Sequence, residues 1–303
     1  MEDLNLIYGA FCTLCDLGAI LNADNQFCDL CDVIPEIPPI PDVSNFTCFS
    51  GISTVETPHG TVTMMDLKVG DRVLTGSGSF ESVYAFGHKN EGVSAEFLQF
   101  QTSSSNLEMT GGHLVFLEGK INPVRADSIQ VGDVLRGDSA VVKKIKTVNR
   151  KGVYSPLTPS GSIIVDGILA SSYISLQKES KEYVQLQGGF AIMSYQEFIH
   201  MALSPFRMFT MGVSSSMGNT YTDDGLPTFA AGGIKFAKWA EEQNIFIQIV
   251  LFVAFFALTG VCMVVENTFG PTMAPVAMAA GASAYALMKS SNISVRAQKI
   301  KSL

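Results

Sequence analysis

From residue 49 to residue 175, apolar positions come in short alternating runs, among them Gly60-Thr-Val-Thr-Met, Arg72-Val-Leu, Glu96-Phe-Leu-Gln-Phe-Gln, Leu114-Val-Phe-Leu and Ser162-Ile-Ile-Val. Gly, Asp, Ser and Pro separate them. Alternation puts successive side chains on opposite faces of a strand, so this spacing predicts an all-β domain over 48–175. One stretch echoes another: Asp66-Leu-Lys-Val-Gly-Asp-Arg-Val-Leu returns 62 positions later as Ser128-Ile-Gln-Val-Gly-Asp-Val-Leu. Two copies at that offset predict a duplicated β unit with pseudo-twofold symmetry, not a solenoid.

Beyond the strands the period changes. Residues 176–212 form a helical extension, with helical spacing clearest in Gln196-Glu-Phe-Ile-His-Met-Ala-Leu and an end at Pro205. Residues 213–233, rich in Ser, Gly and Thr, read as a flexible linker. It leads through Ile234-Lys-Phe-Ala-Lys-Trp-Ala-Glu-Glu, completing a 213–244 segment in which Trp239 suits a membrane interface. Residues 245–265 then run 21 positions without a charge, enough for a helix to cross the roughly 30 Å hydrocarbon layer. Residues 271–288 are a second candidate span, also uncharged but rich in Ala and Gly and broken by Pro271 and Pro275. The 289–303 tail carries Lys289, Arg296, Lys299 and Lys301, which the positive-inside tendency places in the cytoplasm. With two spans residue 244 faces the cytoplasm as well, and with one span the body lies outside.

Ahead of the β domain, residues 34–47 contain Pro35, Pro38, Pro39 and Pro41 and predict an extended connector. Residues 1–33 carry the pairs Cys12/Cys15 and Cys28/Cys31. Their spacing fits a disulfide-bonded extracellular module, a zinc knuckle or four free thiols. Between residues 49 and 261 there is no cysteine, so disulfides do not hold the β domain together.

Composition narrows the function classes. A 47% hydrophobic chain with positive mean hydropathy is rich in apolar residues for a purely soluble protein. A net charge of −8 and a pI near 5.0 supply no basic patch, which argues against nucleic-acid partners. Glu2 and Asp3 stand where a secretory signal has its basic region, so the chain is expected either to start downstream of its true beginning or to be inserted by its C-terminal segment.

The candidate chemistry centres on Cys48, alone at the junction between connector and β domain. A thiol is the strongest side-chain nucleophile near neutral pH, and attack on the carbonyl of Thr47 gives a thioester by an N-to-S acyl shift. Five blocks accompany it in order: Val69-Gly-Asp-Arg-Val-Leu, Thr110-Gly-Gly-His113, Lys151-Gly-Val-Tyr-Ser-Pro-Leu-Thr, Gly161-Ser-Ile-Ile-Val and Ala170-Ser-Ser-Tyr173. Together with Cys48-Phe-Ser-Gly they resemble the hedgehog C-terminal autoprocessing domain, a hedgehog/intein-type (Hint) domain, over 48–175 and more faintly over His200–Met208.

That resemblance implies an all-β Hint fold built from two pseudo-symmetric halves, and the apolar runs add one or two transmembrane helices after it. It also implies single-turnover self-cleavage between Thr47 and Cys48, with no cofactor and no catalytic metal. His113 would protonate the departing amide nitrogen, a poor leaving group that needs a proton from a group titrating near neutrality. Thr110 would help strain and orient the scissile peptide. Asp127 falls where hedgehog proteins carry the acid that activates the incoming sterol hydroxyl, a role that requires it to be positioned and partly desolvated. The substrate is the chain's own N-terminal segment, and the acceptor is a sterol, another lipid alcohol or water, at a membrane of the secretory pathway or cell surface.

Two departures bear on rate. Thr47 stands where hedgehog proteins have Gly, and its β-branch crowds the carbonyl under attack. Ser172 stands where the family commonly has a Cys beside the Tyr. Ser171-Ser-Tyr-Ile offers no Asn for splicing. Two rival readings remain: a non-cleaving, membrane-anchored module that displays the cysteine-rich segment for cell–cell signalling, and a zinc-ribbon protein.

Overall fold

The alternating segments fold into short strands around one long ribbon in the computed structural model, which describes residues 48–174, 183–185, 191–212, 218–273, 275–277, 279–281 and 283. The expectations for Cys12, Cys15, Cys28, Cys31, Thr47 and the basic tail concern residues outside this set. The strands are β1 (Phe49–Ser50), β2 (Thr54–Thr57), β3 (Gly60–Thr63), β4 (Arg72–Leu74), β5 (Phe80–Ser82), β6 (Ala85–Gln101), β7 (Asn106–Met109) and β8 (His113–Val115). There follow β9 (Val124–Arg125), β10 (Val134–Leu135), β11 (Ala140–Val141), β12 (Lys144–Leu157), β13 (Ser162–Val165), β14 (Ile168–Ile174), β15 (Tyr183–Gln185) and β16 (Ala191–Ser194).

The ribbon pairs β6 with β12 antiparallel, from Gln101↔Lys144 to Ala85↔Leu157, with irregularities between Lys151 and Val153 and between Ser155 and Pro156. Strands β1, β12, β6 and β7 close into a barrel. A six-stranded sheet of order β3-β2-β13-β14-β8-β9 accompanies it. The main core draws Phe49, Phe86, Phe100 and Met109 from the barrel and Val115, Ile163 and Val165 from the sheet. In β13 the alternation is visible residue by residue, with Ile163 and Val165 buried and Ser162 and Ile164 less so. Each large apolar side chain buried this way contributes about 1.5–3 kcal/mol.

The two Val-Gly-Asp stretches form turns with matching bonds. Lys68 N–H donates to Asp71 Oδ2 and Gln130 N–H to Asp133 Oδ2, each at 2.9 Å. Gly70 N–H reaches Val83 O and Gly132 N–H reaches Val142 O, each at 2.8 Å. Both glycines take positive φ, +98° and +101°, which a side chain disfavours. Asp71 and Asp133 therefore tie down their turns.

A third glycine is limited by space as well as φ. Gly137 has φ +123°, and a Cβ there would lie 2.4 Å from Gly167 O. Gly137→Ala is expected to destabilise the domain by about 1–3 kcal/mol, read as a lowered thermal midpoint.

The stretch expected to be helical is more varied. It begins with the β15–β16 hairpin, followed by α1 (Tyr195–Ala202) and α2 (Ser204–Gly212). Ser194 caps α1 with a capping box completed by Glu197. Pro205 begins the second helix instead of only ending the first, because a first-turn residue needs no N–H partner.

The described part of the expected flexible linker is tied to the barrel. Lys89 N–H donates to Gly225 O at 2.9 Å, and Tyr221 bridges Pro227. The chain continues into α3 (Thr228–Glu241) and α4 (Ile245–Phe269). Helix α4 is long and apolar enough to cross a membrane by length and composition, but it runs past residue 265 and takes in Glu266.

Candidate active site

Cys48 precedes β1, which is held between β12 (Phe49↔Tyr154) and β7 (Phe49↔Met109). It is fully buried. Its backbone is fixed by the Thr110 turn: Cys48 N–H donates to Thr110 Oγ1 at 2.8 Å, and Thr110 N–H donates to Cys48 O at 3.0 Å. Thr110 thus grips the nitrogen that must leave and the carbonyl that follows it. Burial raises the Cys48 thiol far above its ordinary range, so it is a protonated thiol near neutral pH and needs a base before it can attack.

A base lies against it. His88, on β6 opposite Ser155 of β12, places Nδ1 3.2 Å from Cys48 Sγ. Its other nitrogen, Nε2, lies 2.8 Å from the carbonyl oxygen of Asp224. A carbonyl only accepts, so Nε2 carries the hydrogen and Nδ1 presents a lone pair to the thiol. Burial lowers the His88 pKa, with the Asp224 carbonyl opposing, and keeps the ring neutral at pH 7.

The Thr110-Gly-Gly-His113 turn joins β7 to β8, and His113 N–H closes it on Thr110 O at 3.0 Å. His113 is fully buried, its ring centroid 4.1 Å from that of Phe49, the residue after the nucleophile. Its Nε2 donates to Ser171 O of β14 at 2.9 Å, leaving proton exchange to Nδ1. That shelf is itself braced: Ser171 Oγ–H donates to Gln196 Oε1 of α1 at 2.6 Å, and Gln196 Nε2–H donates to Gly161 O at 2.9 Å.

The structure therefore brings Cys48, Thr110 and His113 together and adds His88. Asp127 lies on a neighbouring 3-10 turn, Ala126–Ser128, that packs against the Thr110–His113 turn. Its backbone N–H donates to Gly111 O at 2.9 Å, while its carboxylate, 45% exposed, accepts from Arg125 Nε at 3.0 Å and Nη2 at 2.5 Å. The carboxylate lies close to Gly111 of the Thr110–His113 turn, within 3.4 Å of where a Cβ on Gly111 would sit, and is held there by Arg125. Ser172, in place of the family Cys, is buried with its hydroxyl 2.9 Å from Thr158 Oγ1. Among the described residues no group of three His, Cys, Asp or Glu is placed to hold a metal ion.

His88 escaped the sequence because it belongs to no block, in the plain strand stretch Phe86-Gly-His-Lys. The only available signal was scarcity. Of four histidines, His113 and His200 had been absorbed by motifs, leaving His59 and His88 to be weighed against Cys48.

The chain matches the Hint module over residues 40–242, a stretch that runs through α1 and α2 and on past α3. It is 35% identical over 147 residues to Warthog protein 6 of Caenorhabditis elegans, covering 43% of this chain and 25% of that protein. It is 28% identical over 175 residues to Sonic hedgehog protein of Xenopus laevis, covering 52% and 35%. The chain thus spans only about a quarter to a third of the length of these relatives. The crystal structure of the gp41-1 intein aligns with a TM-score of 0.37 at 15% identity, covering 42% of this chain and 98% of that one.

Proposed function

The chain belongs to the Hint module family, and on that premise we propose that it processes itself, cutting the Thr47–Cys48 bond and passing its N-terminal segment to a hydroxyl acceptor. The observation that carries this reading is the contact of Cys48 Sγ with His88 Nδ1 at 3.2 Å, on a backbone clasped by Thr110. His88 takes the thiol proton as Sγ bonds to the Thr47 carbonyl carbon. His113, entering as the imidazolium with Nε2–H on Ser171 O, gives its Nδ1 proton to the Cys48 nitrogen as the C–N bond breaks, leaving a thioester and a free amine. In the second half the acceptor hydroxyl loses its proton to the now neutral His113 and bonds to the acyl carbon. Cys48 sulfur leaves and regains its proton from His88. Each histidine ends as it began, and the cycle runs once because the substrate is the chain itself. Asp127 holds the Thr110–His113 turn through its backbone bond to Gly111.

The acceptor in this reading is a sterol or other lipid alcohol, with water as the competing acceptor. Apolar helix α4 attaches the protein to a membrane of the secretory pathway or cell surface and keeps lipid alcohols at high effective concentration. Asp224, whose carbonyl orients His88, lies only a few residues before α3, so the site and the membrane-attached segment adjoin. Full burial of the thiol is the one observation that favours the non-cleaving display reading.

Purified chain in lipid vesicles with dithiothreitol is expected to yield a fragment beginning at Cys48, identified by N-terminal sequencing. Cys48→Ala is expected to stay whole. A wild-type chain as stable as that variant would leave display as the function. Mass spectrometry of the released segment identifies the acceptor.

A further inference from the structure

Helix α4 starts and ends in different company. From near its middle onward it is packed on the helices of the processing domain: Phe255 and Phe256 meet Phe198 of α1 with ring centroids 6.4 and 6.0 Å apart, and Cys262 packs on Met208 of α2. At Glu266 it is bolted down. Arg207 of α2, fully buried, donates from Nε to Glu266 Oε1 at 2.5 Å and from Nη2 to Oε2 at 2.7 Å. Arg207 Nη1 also reaches toward Tyr173 OH of β14 at 3.5 Å, so this end of α4 sits against the β domain.

The other end reaches the same domain through α3. Thr228 N–H donates to Thr220 O at 2.9 Å, Phe229 stacks on Phe206 with ring centroids 3.3 Å apart, and Gly225 is bound to Lys89 of β6. The excursion thus leaves the domain near Pro227 and is back on it by Glu266. For α4 to cross a bilayer, the turn at 242–244 must lie on the far side, and α3 must then cross too. Helix α3 has 14 residues, roughly 21 Å at 1.5 Å per residue, short of the roughly 30 Å hydrocarbon core. It also carries Lys235, Lys238 and Glu241.

We propose that α3 and α4 form a re-entrant hairpin that lies in the interfacial layer of one leaflet, its Glu241–Glu242 turn at headgroup level, and leaves by the same side, holding the processing site against that leaflet without crossing it. This rests on the membrane attachment argued above. The face of α4 turned away from the domain is apolar and open, with Val250, Val253, Leu258, Val261 and Val264 each more than half exposed. On α3, Phe236 and Trp239 are exposed in sequence beside Lys235 and Lys238. Aromatic rings beside lysines suit the boundary between headgroups and acyl chains, and Glu241 and Glu242 at the turn balance the two lysines, so the fit is to a polar headgroup layer and not to anionic charge.

Depth-dependent fluorescence quenching tests it, since Trp239 is the chain's single tryptophan. Full-length Cys48→Ala protein carrying Trp239→Phe and Leu258→Trp is bound to phosphatidylcholine–phosphatidylserine vesicles with bromines near the headgroup or near the acyl-chain end. Position 258 is mid-helix and 58% exposed, so a crossing helix places it at the bilayer centre. A re-entrant helix keeps it about 5–10 Å below the headgroup boundary. The expected result is stronger quenching by the shallow bromines at position 258, at a second reporter, Val253→Trp, and at native Trp239. Strongest quenching by the deep bromines at 258 overturns the hairpin while keeping the membrane attachment. No blue shift and no quenching with any lipid, including any outcome in which the chain self-associates in solution instead, overturns both.

Discussion

His88→Ala is expected to slow self-cleavage by about 10²–10⁴-fold, the usual worth of a positioned general base. Burial keeps the Cys48 thiol protonated at any ordinary pH, so the attacking thiolate must be made at the moment of attack, and His88 Nδ1 is the base 3.2 Å away. His88 also holds the Asp224 carbonyl, so a structural role must be separated. His88→Gln keeps an N–H donor for that carbonyl but has no base, and it is expected to be as slow as alanine with an unchanged thermal midpoint. Added hydroxylamine, which intercepts thioesters, is expected to leave both variants slow, because the deficit precedes the thioester. The pH profile gives the sign. His88 must be neutral to act, and burial lowers its pKa. Its contribution to the rate is therefore intact through neutrality and lost only as pH falls below the usual histidine range. Recovery of near wild-type rate in His88→Gln would reduce His88 to a spacer.

What the sequence disclosed and what it hid divide along one line. Cys48, Thr110 and His113 are legible because the turn that aligns them is contiguous: Thr110 closes on His113 within three residues, and only its grip on Cys48 is long-range. His88 becomes a partner of Cys48 only through the β6–β12 register, which places it opposite Ser155 while β1 pairs on the other side of β12. Strand register is a property of the closed barrel and leaves no local mark on Phe86-Gly-His-Lys.

Asp127 is placed by a different kind of contact: the Ala126–Ser128 turn packs on the Thr110–His113 turn through Asp127 N–H to Gly111 O, and Arg125 two residues earlier pairs with its carboxylate. The strands of 49–175 follow from alternation, whereas Ser- and Gly-rich composition says nothing about backbone bonds such as Lys89 to Gly225. The apolar run was read as ending before Glu266, since a lone carboxylate looks like a boundary. Its partner Arg207 is 59 residues away on another helix.

That partnership gives the largest expected effect on stability. Glu266→Ala leaves the guanidinium of Arg207, fully buried, without its counter-charge, and breaking a buried pair from one side costs about 3–5 kcal/mol. For a domain of this size, that corresponds to a fall of roughly 5–20 °C in the thermal midpoint of the Cys48→Ala chain in detergent. Ser204 Oγ also loses its acceptor. The double variant Arg207→Met/Glu266→Met removes both charges and fills the space with flexible apolar side chains, so it is expected to recover most of the loss. If the double variant is as unstable as the single, packing by α2 and not charge holds α4 in place. His200 adds a pH signature to the same cluster. Its Nδ1 lies 2.8 Å from Tyr173 OH, and burial, with Arg207 second, lowers its pKa to about 4. A depressed folded value means the cluster's stability is fully present above the ordinary histidine value near 6.5 and declines as pH falls toward 4. His200→Gln is expected to flatten that decline. Because Tyr173 follows two residues after Ser171, whose carbonyl orients His113, loosening the cluster is also expected to slow cleavage.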